Sequence, residues 1–132
     1  MLSQHRYGFG RTVPGRLADV EPKVTEALKA KGFGVLTRID VAGTLKNKLG
    51  EDMRPYVILG ACNPKYAHQA LSKEPEIGLL LPCNVILYEE TPGQVHVSAM
   101  DPEPVLDLVG NAQVEPIAKT VRGLLEEALE SL

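Results

Sequence analysis

Two short segments hold the only cysteines of this chain: Gly60-Ala61-Cys62-Asn63-Pro64 and Leu81-Pro82-Cys83-Asn84. In each, an apolar run meets a proline and an asparagine, residue types that turn a backbone and bring side chains toward solvent. A thiol just ahead of an Asn-Pro helix start feels the positive end of the helix that follows. That field lowers a thiol pKa from about 8.5 and favours a nucleophilic or redox-active thiolate. Cys62 holds that position and is the candidate catalytic residue. The amides after Asn63 offer an anion site for the same reason. A plainer reading competes with both, because a cysteine in an apolar run is also a small hydrophobe chosen for its volume, and Cys62 and Cys83 both fit that description.

If the strands carrying the two cysteines are neighbours, the thiols approach each other, and Asn63 and Asn84 complete a polar corner. A thiol pair suits a soft metal, but the three histidines, His5, His68 and His96, are not spaced as metal ligands, so no metal site is expected. His68, in the helix after Cys62, is expected to be exposed rather than to serve as a base, and His96 should face solvent, out of phase with Val95 and Val97. Asp40 precedes Lys46 and Lys48; the three form either a mixed-charge cluster or a helix cap beside two surface lysines. Gly8-x-Gly10 lacks the further glycine and the strand-to-helix context of a dinucleotide loop, and no Gly-x-x-x-x-Gly-Lys is present. Ser3, Ser72, Ser98 and Ser131 stand in no nucleophile-elbow context. No enzymatic activity or cofactor is assignable from these patterns.

The elements that position these residues follow from hydrophobic period. Alternation predicts strands over Tyr7 to Val13, Phe33 to Val41, Tyr56 to Ala61, Leu79 to Tyr88 and Val95 to Met100. Three- and four-residue spacing predicts helices over Leu17 to Lys31 and Val114 to Leu129, with a short helix over Thr44 to Leu49. Asn63-Pro64 reads as a helix start in which the Asn side chain accepts an orphan amide and Pro needs no donor; that helix runs to about Ser72. Pro82 requires a bulge, an edge or the first residues of its strand. Glu89 to Gln94 turns a hairpin, and Asp101-Pro102-Glu103-Pro104 ends the sheet. The hairpin argues against a doubly wound parallel sheet. The expected fold is a single α+β domain over residues 1–132, with one mainly antiparallel five-stranded sheet and helices on one face. The bare second face, carrying Ile58, Ile86 and Met100, calls for a homodimer.

Composition bounds the partners. With 44% apolar and 23% charged residues the chain folds on its own, and it carries no run of about 20 apolar residues that would span a membrane. Two unpaired cysteines and no apolar leader fit a cytoplasmic protein. Fourteen basic residues against seventeen acidic ones give a net charge of −3, which argues against nucleic acid. The charge is uneven: residues 1–54 hold ten Lys/Arg against six Asp/Glu, and residues 55–132 hold four against eleven.

Phe33-Gly34-Val35-Leu36 with Ile39-Asp40-Val41, Leu59-Gly60-Ala61-Cys62-Asn63-Pro64, and Leu80-Leu81-Pro82-Cys83-Asn84-Val85 together resemble the bacterial and archaeal domain of unknown function family 302. The likeness spans about Leu17 to Pro102. It implies a small α+β protein whose curved antiparallel sheet is similar to the TATA-binding-protein fold, and a dimer, with no established activity. The family's signature falls on Asp40, Cys62, Asn63, Pro64, Pro82, Cys83 and Asn84. Nucleic-acid binding is not carried over with the fold, because the sheet lacks an aromatic-plus-basic pattern.

Three functions are therefore weighed. The first is a homodimeric module binding a small molecule or anion at Cys62, Asn63, Pro64, Cys83, Asn84 and Asp40. The second is a structural or protein-interaction subunit, and the third a thiol-dependent redox protein or enzyme using Cys62. A concavity at the cysteines favours the first or third, and a filled core favours the second.

Overall fold

Strand alternation decides which side of the sheet is buried. Phe9 and Val13, Val57 and Leu59, Val85 and Leu87, and Val95 and Val97 share one face and are all buried, while Thr12, Ile58, Ile86 and His96 stand on the other. A computed structural model describing residues 2–132 joins these strands into one sheet. The strands are β1 (Ser3–Gln4), β2 (Gly8–Pro14), β3 (Gly34–Asp40), β4 (Tyr56–Cys62), β5 (Cys83–Thr91) and β6 (Gln94–Met100), in the spatial order β1-β2-β6-β5-β4-β3. Every neighbouring pair is antiparallel. The sheet has six strands where five are expected. The addition is β1, whose two residues are too short to show a period of two.

Helices α1 (Leu17–Ala30) and α5 (Glu115–Glu130) cover the buried face with Val20, Val24 and Leu28 and with Ile117, Val121 and Leu125. Between β3 and β4 stands α2 (Val41–Leu49), while α3 (Pro64–Lys73) and α4 (Pro102–Asp107) pack against α5. Asp40 caps α2 by accepting the Gly43 N–H at 3.0 Å, so the helix begins directly after β3 rather than at Thr44. The strand expected from Leu79 starts only at Cys83, because Pro75–Leu80 forms a 3-10 helix; the Leu81–Pro82 peptide is cis. Asp101-Pro102 opens α4 instead of merely ending the sheet. The Asp101 carboxylate accepts the Glu103 N–H at 3.1 Å and Pro102 occupies a first-turn position that needs no donor.

Gly10 shows why β2 is bare on its outer side. A Cβ there would lie 2.8 Å from the Ser98 Cα, so only glycine lets β2 and β6 approach at this point. A bulge in β3 between Val35 and Thr37 resets its phase. Thr37 and Ile39 then pair with outward-facing Gly60 and Ile58, and Arg38 and Asp40 pair with inward-facing Leu59 and Val57.

Two acids are buried on or beside the helix-covered face, and both are paired. Glu89, in phase with Val85 and Leu87, receives the Arg16 Nε–H. Asp101 accepts from Gln4 Nε2 at 3.0 Å and from Arg122 Nε at 3.1 Å, and the Arg122 guanidinium lies 5.0 Å from the centre of the Phe9 ring. Arg11 donates to the Leu129 and Glu130 carbonyls, tying β2 to the end of α5.

Candidate functional site

Register brings the cysteine segments together. Ala61 on β4 pairs with Cys83 on β5, so Cys62 is the next residue along the adjacent strand. Strand alternation sets Cys62 out of phase with Ala61 and hence with Cys83. A disulfide between them would require the backbone to move, and both are free thiols. Both nevertheless line one cavity of about 290 Å³ where the strand ends meet α3. Ala61, Ile117 and Val121 contribute from the sheet and α5, and Tyr66, Ala67 and Ala70 from α3. Phe33, Leu36, Leu81 and Pro82 complete the apolar wall.

The electrostatics run against a reactive thiolate. Burial pushes the Cys62 thiol above its ordinary pKa rather than below it. Burial pushes Cys83 up to about 12, with a smaller contribution from Cys62 nearby. Desolvation is the largest cause for both thiols, and the Cys62 charge acting on Cys83 works in the same direction. Asn63 does not cap α3 through its side chain. Its Nδ2 donates to the Lys31 carbonyl at 3.3 Å, fastening the end of α1 to the start of α3. The chain turns at Gly32, with a φ of 88°, directly against the Asn63 side chain.

Of the six candidate binding residues, Cys62, Asn63 and Cys83 line the cavity and Pro64, Asn84 and Asp40 do not. Pro64 is exposed at the start of α3. Asn84 stands on the outer face of the sheet, and Asp40 caps α2 at the other end of β3, with Lys46 drawn to Asp52 instead. His68 is exposed on α3. His96 is half-buried rather than free at solvent: it ends a row in which Tyr56 stacks on Tyr88 at 5.5 Å, Tyr88 lies 5.2 Å from His96, and Thr12 Oγ1 lies 3.2 Å from His96 Nδ1. Ile117, Val121 and Leu106 are cavity residues that spacing around the cysteines could not find. Leu106 was within reach of a different signal, the Asp-Pro helix start that opens α4.

Among the described residues no group of three or more His, Cys, Asp or Glu is placed to hold a metal ion, and no helix is long and apolar enough to cross a membrane. The model of the domain of unknown function DUF302 matches residues 9–132. This chain belongs to the DUF302 family. The match extends beyond the segment that carries the sequence resemblance, taking in β2 and α5. A similar solved structure is that of an uncharacterized conserved DUF302 protein from Bacillus stearothermophilus, with 28% sequence identity, a TM-score of 0.88, and coverage of 96% of this chain and 98% of that one. No functionally curated protein matches the chain. DUF302 membership thus supports the α+β fold and brings no activity with it.

Proposed function

We propose that this DUF302 protein is a binding module for a small, neutral, largely apolar molecule held in the cavity at Cys62 and Cys83. The observation that carries the reading is the cavity itself: about 290 Å³, close to the lower end of ligand-site volumes, and walled mostly by aliphatic and aromatic side chains. Raised thiol pKa values favour the uncharged form of both cysteines and so favour an uncharged guest. They weigh against the thiolate reading. Tyr66 and the thiol groups then supply the few polar contacts that orient the guest. The same reading has the module as a homodimer of the 14.3 kDa chain, supported by the large apolar side chains left at its surface.

The neutral fluorophore N-phenyl-1-naphthylamine tests the site. Saturable binding to the wild type, lost in a folded Ala67→Phe variant and indifferent to inorganic phosphate, is the expected result. Unsaturable fluorescence, or equal binding by Ala67→Phe, would sink the proposal.

A further inference from the structure

From Gly34 to Tyr56 not one residue is buried, a run of 23 positions, while no other such run among the described residues exceeds eight. The stretch is not disordered in form: it contains β3, the nine-residue α2 and a left-handed turn at Gly50. A helix shorter than about 12 residues is marginal in water unless its apolar side is packed, yet α2 has no buried residue. Four large apolar side chains stand exposed in this run, namely Leu36, Ile39, Leu49 and Met53. On the outer sheet face, by contrast, Ile58, Ile86 and Met100 are already half-covered beside the Tyr56-Tyr88-His96 row.

We infer that β3 and α2, through Met53, form the docking surface for a second copy of this chain. The inference rests on the homodimer named above and specifies where its interface lies. Charge supports a like partner. The segment carries both signs, Lys46 and Lys48 against Glu51 and Asp52, so a two-fold axis through α2 can set the bases of one copy against the acids of the other. Of these four, Lys46 and Asp52 also pair within one chain, at 2.9 Å. The contact is made by side chains and not by strand addition, because the bulge and the inward-phased Arg38 and Asp40 spoil β3 as a template for another strand. Leu36 belongs both to this run and to the cavity lining, so the second copy stands beside the cavity mouth.

The test is light scattering across a concentration series on the wild type, an Ile39→Lys/Leu49→Lys double variant and an Ile86→Lys control on the outer face. The expected result is about twice 14.3 kDa for wild type and control and the chain mass for the double variant, with native circular dichroism in all three. Hydrogen exchange on the wild type gives an independent reading: the amides of α2 should lose protection on dilution. A wild type that is monomeric throughout, with unprotected α2 amides, overturns the homodimer itself and leaves the surface to a different protein. A dimer that survives in the double variant but splits in Ile86→Lys overturns only the location.

Discussion

The buried thiol of Cys83 makes stability depend on pH in a way that isolates this one side chain. An exposed cysteine ionises near 9.0, whereas Cys83 in the fold ionises near 12. Below pH 9 the thiol is neutral in both states and has no effect on the slope. Above pH 9 the unfolded chain releases its proton and the folded chain keeps it, so the unfolded state gains stability as pH rises. The sign is a loss of fold stability with increasing pH, starting at the unfolded pKa and complete at the folded one. The loss is about 1.4 kcal/mol at pH 10 and approaches about 4 kcal/mol beyond pH 12. Urea unfolding of the wild type and of Cys83→Val between pH 7 and pH 10 gives the measurement, because the other titrating groups cancel in the difference. Valine fills nearly the same volume and does not ionise, so the variant should gain on the wild type by that amount over the interval. A difference that stays flat with pH, or labelling of Cys83 by a thiol reagent in the folded protein at pH 9 as fast as in the unfolded chain, would refute the burial argument.

Removing the Asp101 carboxylate should be costly: Asp101→Ala strips partners from Gln4, Arg122 and the Glu103 N–H together, and we expect a loss of about 3 kcal/mol in chemical denaturation, with Asp101→Asn retaining part of it. The Arg16 and Glu89 pair should behave asymmetrically. Arg16→Ala leaves a carboxylate alone on the buried face and lowers the thermal midpoint, whereas Glu89→Leu continues the series Val85, Leu87 and leaves an exposed arginine that water can solvate. Equal midpoints for the two variants would show that Glu89 is not desolvated as its position implies.

How much of this was legible beforehand depended on whether a residue's role is set by its neighbours in sequence. The runs around Phe9, Val57 and Val95, and the stripe from Val114 to Leu129, announce their elements because period alone sorts buried from exposed positions. The pairing of the cysteine segments was also within reach, since both flank strong strands. The misreading at Asn63 has a tertiary cause: the Asn-Pro signal does start a helix, but the side chain is claimed by a carbonyl 32 residues away. The thiol pKa values moved up instead of down for the same kind of reason. A helix end can be read from sequence, but the carbon wall supplied by α3, α4 and α5 cannot. At Asp101-Pro102 the same residues that can stop a sheet cap and open a helix, and a helix of only six residues adds too little period to tell the two apart.

The order of the strands has a bearing on how the chain is made. Strands β3, β4, β5 and β6 are neighbours in the sheet as they are in sequence, so each can pair with its predecessor as soon as it leaves the ribosome. β2 cannot, because its partner is β6, and Phe9 must wait for Ala99. The clasp that then secures the adjoining β1, Gln4 to Arg122, spans 118 residues and closes only when the first half of α5 has emerged. The strands at the N-terminus are thus among the last to dock. Contacts of such long sequence separation slow folding through the cost of closing the loop between them. A nascent chain stopped before residue 94 would hold Phe9 and Val13 without the strand that receives them, a state in which chaperone recognition of the N-terminus should be strongest.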